Sequence, residues 1–553
     1  MKRVAASITF ILTVLAVTGA HAEPDAIDVI MARTTGNSGI QSIQKSGTPD
    51  LLRILQSDTA DGRAMKTAIT EAARPELDTY YDSLSGRFRV HFDLSGTNAP
   101  DLSDTDFNGV PDYIDSTAVY LDYSWALMVD ELGYAPPVGD GLRGGEPSGM
   151  IDCYIKHLQS GSSYFYGLTK PDNGHGKTSS WLEIENDFSE SAFSTKGYEA
   201  LKITTAHEFF HVIHFSYFGT AASIWWMEQS AVWMEDRAWD DVNDYLYYLD
   251  PLFRYRNKSI NLSDNSNFFY SACLFAFVIA ETYGDNMIRS TWNKIRDTQS
   301  GDIKIFNTVL PEGLPQALSD LAVWMYFTGY RSNNEFFKDS DIINDMVMPE
   351  QIKRTTSAVD SLSLQKYTFN YVEIEPEEGL SAGDSLKVNF IDRDGGNWKK
   401  QVIFYNSPDN YLVQPLNGMQ PVLHIERPFL KAVIVVANAS PVNRHYDLVY
   451  SYDIIDTISV EKEPEPSPFA IHKAYPNPFN AATTIPFTLD AEGQARLTVH
   501  NLQGAVVAEL IDTVLPAGTH SAAFDASGMA SGIYFASLIS NGRRETAKLL
   551  YLK

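Results

Sequence analysis

Hydrophobic and polar residues change rhythm several times along this 553-residue chain, and each change predicts a different kind of element. The chain opens MKR, runs through the apolar ITFILTVLAV and reaches Ala20-His21-Ala22: a basic start, a short apolar core and small residues before a cut. That order predicts a secretory signal over residues 1–22, too short for the ~20 apolar residues of a membrane-spanning helix. No later stretch comes closer, so the mature chain is expected to lack a transmembrane segment. Residues 23–76 are polar and loosely helical, and read as a prosegment or an N-terminal support. The alternation FRVHFDL, Phe88 to Leu94, is the first strong strand signal. From there strands mix with long, aromatic-rich helices to about Gly329, which sets a mixed α+β domain at 77–350.

A second shift follows. SLKVNFID, KQVIFYN and KAVIVVANA are short alternating runs between turn residues, and they predict a β-sandwich at 366–458. The charged, proline-rich EKEPEPSP at 461–468 is the core of a linker at 459–469. A last group of short strands fills 470–553. The expected fold class is therefore multidomain, an α+β domain followed by β-sandwich domains.

Composition narrows the partners. Lysine plus arginine number 43 against 70 aspartate plus glutamate, 43 − 70 = −27. Such an excess of negative charge argues against nucleic acid as a partner. Only Cys153 and Cys273 are present, too few for a disulfide scaffold or a cysteine-rich zinc module, and sequence leaves their pairing open.

Two stretches carry chemistry. DTDFNGVPDYID, Asp104 to Asp115, puts side-chain oxygens at Asp104, Asp106, Asn108, Asp112 and Asp115, with Gly109 at the tight turn and the Val110 carbonyl next. This is the oxygen spacing of a calcium loop, although the last position has Asp where a longer Glu is usual; the alternative is an acidic turn capping a helix. TTAHEFFHVIHFSYFG, Thr204 to Gly219, holds His207, Glu208 and His211 in the HExxH spacing. At 100° per residue His211 lies about 40° and His214 about 20° from His207, so the three share a face, expected to look into a cleft. Two imidazoles one turn apart can bind one zinc ion, with Glu208 beside the open coordination position as a general base for water. A third ligand is needed. The extended HExxHxxGxxH scheme fails, because His214 and Tyr217 stand where it requires glycine and histidine. A glutamate from a following helix is available in WWMEQSAVWMED, Trp225 to Asp236.

HEFFH together with EQSA, Glu228 to Ala231, resembles the gluzincin class of zinc metallopeptidases, in which a glutamate of a second helix completes the site. The region from about 88 to 330, with its calcium-type loop, is similar to secreted bacterial putative metalloproteases of that class. The resemblance implies a zincin-like fold, a secreted endopeptidase acting on protein or peptide substrates, His207, His211 and Glu228 as zinc ligands, and Glu208 as the general base. Glu235 is the competing ligand or a hydrogen-bonding partner of a ligand, and His214 a neighbour of the ligands. In zinc peptidases a strand such as SSWLEIENDF, Ser179 to Phe188, often borders the cleft and offers its edge to peptide; an ordinary core strand fits it equally. Tyr245, Tyr247, Tyr248 and Tyr270 lie near the site in sequence, and nothing separates them as donors to a developing oxyanion.

AYPNPFNAATTIPFTL, Ala474 to Leu489, and the strands after it resemble the C-terminal sorting domains of the type IX secretion system. That implies an outer-membrane secretion machinery as partner and a secreted or cell-surface location in a Gram-negative bacterium. Physically the same residues suit an adhesion or carbohydrate-binding module. The alternative for the whole chain is a surface binding protein on an inactive peptidase fold.

Overall fold

In the computed structural model, the structure describes residues 42–59, 62–63, 66, 74–144, 149–160, 163–173, 176–263, 268–333, 335–344, 352–455 and 469–553. The expected signal (1–22) and the linker run 461–468 lie outside the described residues. Two compact units are formed, one up to Ile454 and one from Ile455 to Lys553.

The first unit begins with strand β1 (Ser42–Ser46) and helix α1 (Thr48–Leu55). Pro49 sits in the first helical turn, where a missing N–H costs nothing, with Asp50 beside it and Arg53 in the last turn, as the helix dipole favours. Strands β2 (Thr79–Asp82) and β3 (Phe88–Phe92) form a hairpin, followed by helix α2 (Asp112–Trp125). Next come β4 (Ile151–Lys156), β5 (Gln159–Ser160), β6 (Ser163–Pro171) and β7 (Ser180–Glu185). The described strands make one mixed sheet in the order β1-β6-β7-β4-β3-β2, with β5 beside β6. β1 runs parallel to β6 (Ser42↔Ser163, Ser46↔Gly167), and β6 antiparallel to β7. Part of the stretch read as prosegment or support thus supplies a strand of the sheet. β7 is paired on both sides, by β4 and β6, so it offers no free edge to a peptide.

Helix α3 (Gly197–Tyr217) packs on β6 and β7, and α4 (Ile224–Ala238) packs on α3. From Ile203 to Tyr217 every residue of α3 is buried. The expected outward-looking histidine face is therefore corrected: the polar face of α3 meets the polar face of α4, and His207, His211 and His214 are buried there. Helices α5 (Leu274–Tyr283), α6 (Asn286–Thr298) and α7 (Gly313–Tyr326) complete the helical side.

The β-rich region runs from β8 (Ile352–Lys353) to β16 (Tyr446–Ile455) and includes β11 (Ser385–Asp392), β13 (Asn410–Pro415) and β14 (Val422–His424); its strands form two sheets, β13-β12-β15-β10-β8 and β14-β11-β16-β9. β8 and β9 (Ser357–Leu364) lie ahead of residue 366 and already pair with β10 and β16. The sheet containing β10 (Thr368–Ile374), β12 (Trp398–Ser407) and β15 (Lys431–Asn438) is covered on both faces. Val372, Val402 and Ile434 point into the core shared with the other sheet, whereas Tyr371, Ile403 and Val435 join the core of the helical region. The Tyr371 hydroxyl donates to the Ala322 carbonyl of α7 (2.6 Å). Both-face burial explains the unbroken apolar run of KAVIVVANA, which a half-exposed strand would interrupt.

The second unit has two antiparallel sheets: β17 (Ala470–Ile471), β18 (Ala482–Leu489) and β21 (Gly518–Asp525) in that order, and β20 (Val506–Leu515), β19 (Gly493–His500), β22 (Gly532–Ser540) and β23 (Arg543–Tyr551) in that order, closed around Phe487, Leu497, Phe524, Leu538 and Leu549. Cys153 and Cys273 are free and buried. Among the described residues, no helix is long and apolar enough to cross a membrane.

Candidate metal centre

Helical spacing brings His207 and His211 onto one face of α3, and α4 crosses them so that Glu228 meets both. His207 Nε2 lies 3.4 Å from Glu228 Oε2, and His211 Nε2 lies 3.1 Å from Glu228 Oε1. Ligand atoms of His207, Glu208 and His211 lie within 4.8 Å of one another. All of this is enclosed: His207 is 2% exposed, Glu208 and His211 0%, Glu228 1%.

Burial makes hydrogen bonding obligatory, and here it fails at one spot. His207 Nε2, His211 Nε2, Glu208 Oε1 and Glu228 Oε2 are buried with no hydrogen-bond partner; the separations above are those of ion pairs without hydrogen-bond alignment. Unpaired buried polar atoms are costly; ligand atoms of His207, Glu208 and His211 cluster within 4.8 Å, with Glu228 against both histidines, and the set fits a cation. Two imidazoles and a carboxylate are also the donor set that zinc takes at catalytic sites.

Around this point each group has a holder. Glu235, seven residues or about two turns after Glu228, lies on the same side of α4 but reaches the other nitrogen of His207, with Oε1 2.6 Å from Nδ1. A carboxylate on Nδ1 fixes the tautomer and leaves Nε2 for a metal. Burial opposes protonation of His207, but Glu228 and Glu235 outweigh it and push it up to about 10. Burial likewise opposes the charge on Glu228, yet His211 and His207 pull it down to about 2. The carboxylates therefore call for positive charge between them. His214 is fully buried and stacks on Trp292; its Nδ1 lies 3.2 Å from His211 Nδ1 and its Nε2 3.3 Å from the Ser230 hydroxyl. Burial and the neighbouring His211 and His207 hold His214 well below the usual histidine range, hence neutral.

Several partners were not visible in the spacing. Lys45 of β1 pairs with Glu235 (2.6 Å) and with Asp244, and Asp244 also accepts from the Thr195 hydroxyl. Burial alone would lower the Lys45 ammonium's pKa; the two carboxylates raise it instead. Glu208 Oε2 accepts from the Thr169 hydroxyl (2.6 Å) and the Thr48 hydroxyl (3.3 Å). A Cβ on Gly167 would stand 2.6 Å from Glu208 Cγ, so β6 can lie this close only with glycine there. A glycine inside the run SYFYGLTKP was the one sequence signal of that approach. Of the four tyrosines, Tyr270 lies beside His207, and Tyr248 packs against Tyr270 and under Lys45. The Tyr270 hydroxyl accepts from the Ser46 amide (3.0 Å), and burial with the Glu228 charge raises its pKa well above the usual phenol range.

At the other predicted site, carboxylate oxygens of Asp104, Asp106 and Asp112 converge within 4.8 Å. Asp115 stands close enough that burial and the Asp106 and Asp112 charges raise its pKa. The loop's own donors already turn inward: Asn108 N–H to Asp104 (3.1 Å), Gly109 N–H to Asp104 (2.9 Å), and Val110 N–H to the Asn108 side chain (2.8 Å). Gly109 takes φ +88°, as the turn position requires.

A cavity of about 620 Å³ lies elsewhere, lined by residues including Trp233, Asp236, Tyr245, Glu281 and Asp339, and its lining does not include His207, Glu208, His211 or Glu228.

Residues 473–551 match the family of secretion-system C-terminal sorting domains. This unit is thus a type IX sorting domain, which makes the chain a secreted or cell-surface protein that engages the secretion machinery. No curated protein matches the chain. Among solved structures it is similar to a β-1,2-glucanase from Parabacteroides distasonis (11% identity, 36% of this chain and 37% of that one, TM-score 0.16). It is also similar to the Endo-D glycoside hydrolase domain of Streptococcus pneumoniae (11%, 35% and 33%, TM-score 0.16) and to tripeptidyl peptidase 2 (7%, 39% and 32%, TM-score 0.14). The chain spans little more than a third of these structures at most.

Proposed function

We propose that the protein is a secreted zinc-dependent endopeptidase of the gluzincin type, with a zincin-like fold around α3 and α4, exported across the outer membrane of a Gram-negative cell. The observation that carries this reading is the buried cluster of His207, Glu208 and His211, with Glu228 against both histidines and one side-chain atom of each without a hydrogen-bond partner. His207, His211 and Glu228 would hold the ion, which supplies Lewis acidity toward water and toward a peptide carbonyl. Glu208, held on one oxygen by Thr169, keeps its other oxygen free to take a proton from the attacking water and pass it to the leaving amine. Glu235 and His214 orient the two imidazoles. The test is metal analysis of the purified protein together with hydrolysis of a peptide library, with and without a chelator. Zinc bound without chelator-sensitive hydrolysis would favour the binding-protein alternative.

Calcium at Asp104–Asp115 is part of the same proposal, as a structural ion. Removing it leaves carboxylates facing one another, so added calcium should raise Tm. At 100-fold over Kd the stabilisation is about 2.7 kcal/mol, a shift of several degrees by calorimetry. A Tm unmoved by calcium, after thorough removal of bound ions, would leave only a capped turn.

Sorting gives a third expectation. A chain lacking 470–553 should accumulate inside the native host while the purified remainder stays folded, as fractionation and circular dichroism would report. Normal export of the truncated chain would transfer this unit to an adhesive role.

A further inference from the structure

The candidate centre is buried, and a short segment distant in sequence touches its parts one after another. Past Ser46, among the described residues, no strand pairs with the edge of β6 that β1 takes, opposite β7; single groups take that edge instead. Gly47 N–H donates to the Gly167 carbonyl (3.0 Å). The Thr48 hydroxyl accepts from the Thr169 amide (2.8 Å) and lies 3.3 Å from both the Thr169 carbonyl and Glu208 Oε2. Ser46 holds Tyr270. Helix α1 then covers the region with Leu51, Leu52, Ile54 and Leu55 buried, and the Gln56 side chain accepts from the Ala221 amide (2.7 Å). Lys45, fixed by Glu235 and Asp244, anchors the preceding strand to the body.

We propose that residues 47–56 are a cap on the centre, seated on the Gly167–Thr169 edge of β6, and that they lift from the anchor at Lys45 to admit an extended polypeptide in their place. The groups the cap occupies are backbone N–H and C=O of an edge strand, which recognise main chain in an extended form rather than a particular side chain. Lifting the cap also frees the second contact on Glu208 Oε2, while Thr169 keeps the first. Local opening of such a segment leaves the rest of the sheet paired. The identity of the occupant rests on the hydrolase reading; the cap itself rests on burial and contacts alone.

A reversible lock tests it. A Cβ at position 47 would lie 3.6 Å from the Leu168 Cβ, within the separation a disulfide spans. The full chain carrying Gly47→Cys and Leu168→Cys is compared oxidised and reduced, beside a release variant, Leu55→Asp. Access is read by diethyl pyrocarbonate modification of His207 and His211 in the chelator-treated protein, resolved by peptide mass spectrometry, and in parallel by peptide hydrolysis. We expect both rates to rise at least about tenfold from the oxidised form to the reduced or release form. Equal histidine modification in the locked and unlocked proteins overturns the cap, and if Leu55→Asp does not fold, the oxidised and reduced pair decides alone. Modification that follows the lock without hydrolysis in any form keeps the cap and removes the hydrolase reading. Hydrolysis indifferent to the lock does the reverse.

Discussion

Replacing Glu208 by Gln should leave zinc content near that of the unaltered protein and lower peptide hydrolysis by about 10²- to 10⁴-fold, the usual range for loss of a general acid–base group. The exchange is nearly isosteric, which matters in a site that is 0% exposed. The amide oxygen can still accept from Thr169, as Oε2 does at 2.6 Å, so the side chain keeps its position. What is lost is the free Oε1, which has no partner in the folded protein and is the atom able to receive a proton. His207, His211 and Glu228 are untouched, and metal binding should follow them. Atomic absorption and initial rates on a mixed protein substrate check both halves. Full activity in the variant would remove Glu208 from the assigned role.

The second large effect separates two glutamates on one helix. Glu228→Ala should cost more zinc affinity than Glu235→Ala, for which about 10- to 100-fold is expected of a residue acting through a ligand. Glu228 stands between the Nε2 atoms of both histidines, whereas Glu235 reaches only Nδ1 of His207 from behind. Losing Glu235 leaves His207 free to turn and leaves Lys45 with Asp244 alone, so its damage should appear partly as reduced stability. Competitive titration with a chromophoric chelator, with Tm measured on each variant, distinguishes the two. Greater loss of zinc from Glu235→Ala than from Glu228→Ala would exchange their assignments.

The donor set of the centre was legible because it is local: HExxH needs only helical spacing, and Glu228 lies on the next helix. The acidic loop was legible for the same reason. The holders of the site were not, since Lys45 and Thr48, Thr169, and Asp244 reach it from three separate parts of the chain, and only the folded sheet brings them together. Two expectations about access were also beyond the pattern. The polar face of α3 looked solvent-facing because sequence does not say that another polar helix face will cover it. The strand SWLEIE could have been an edge, and only the register with β4 and β6 makes it interior. The unbroken burial of β15 was written in KAVIVVANA, although the helix that covers its second face was not.

That doubly covered sheet bears on how such a chain can be recombined over evolutionary time. Alternate residues of β10, β12 and β15 serve two cores, so a genetic junction placed between the helical region and the strands would strip Tyr371, Ile403 and Val435 of their neighbours on α7 and uncover α7 in turn. Exchange at that junction is selected against unless both sides change together. The heritable module is therefore the whole first unit, helices and all three of its described sheets. The terminal unit has a core of its own and is the part free to be passed between unrelated cargoes.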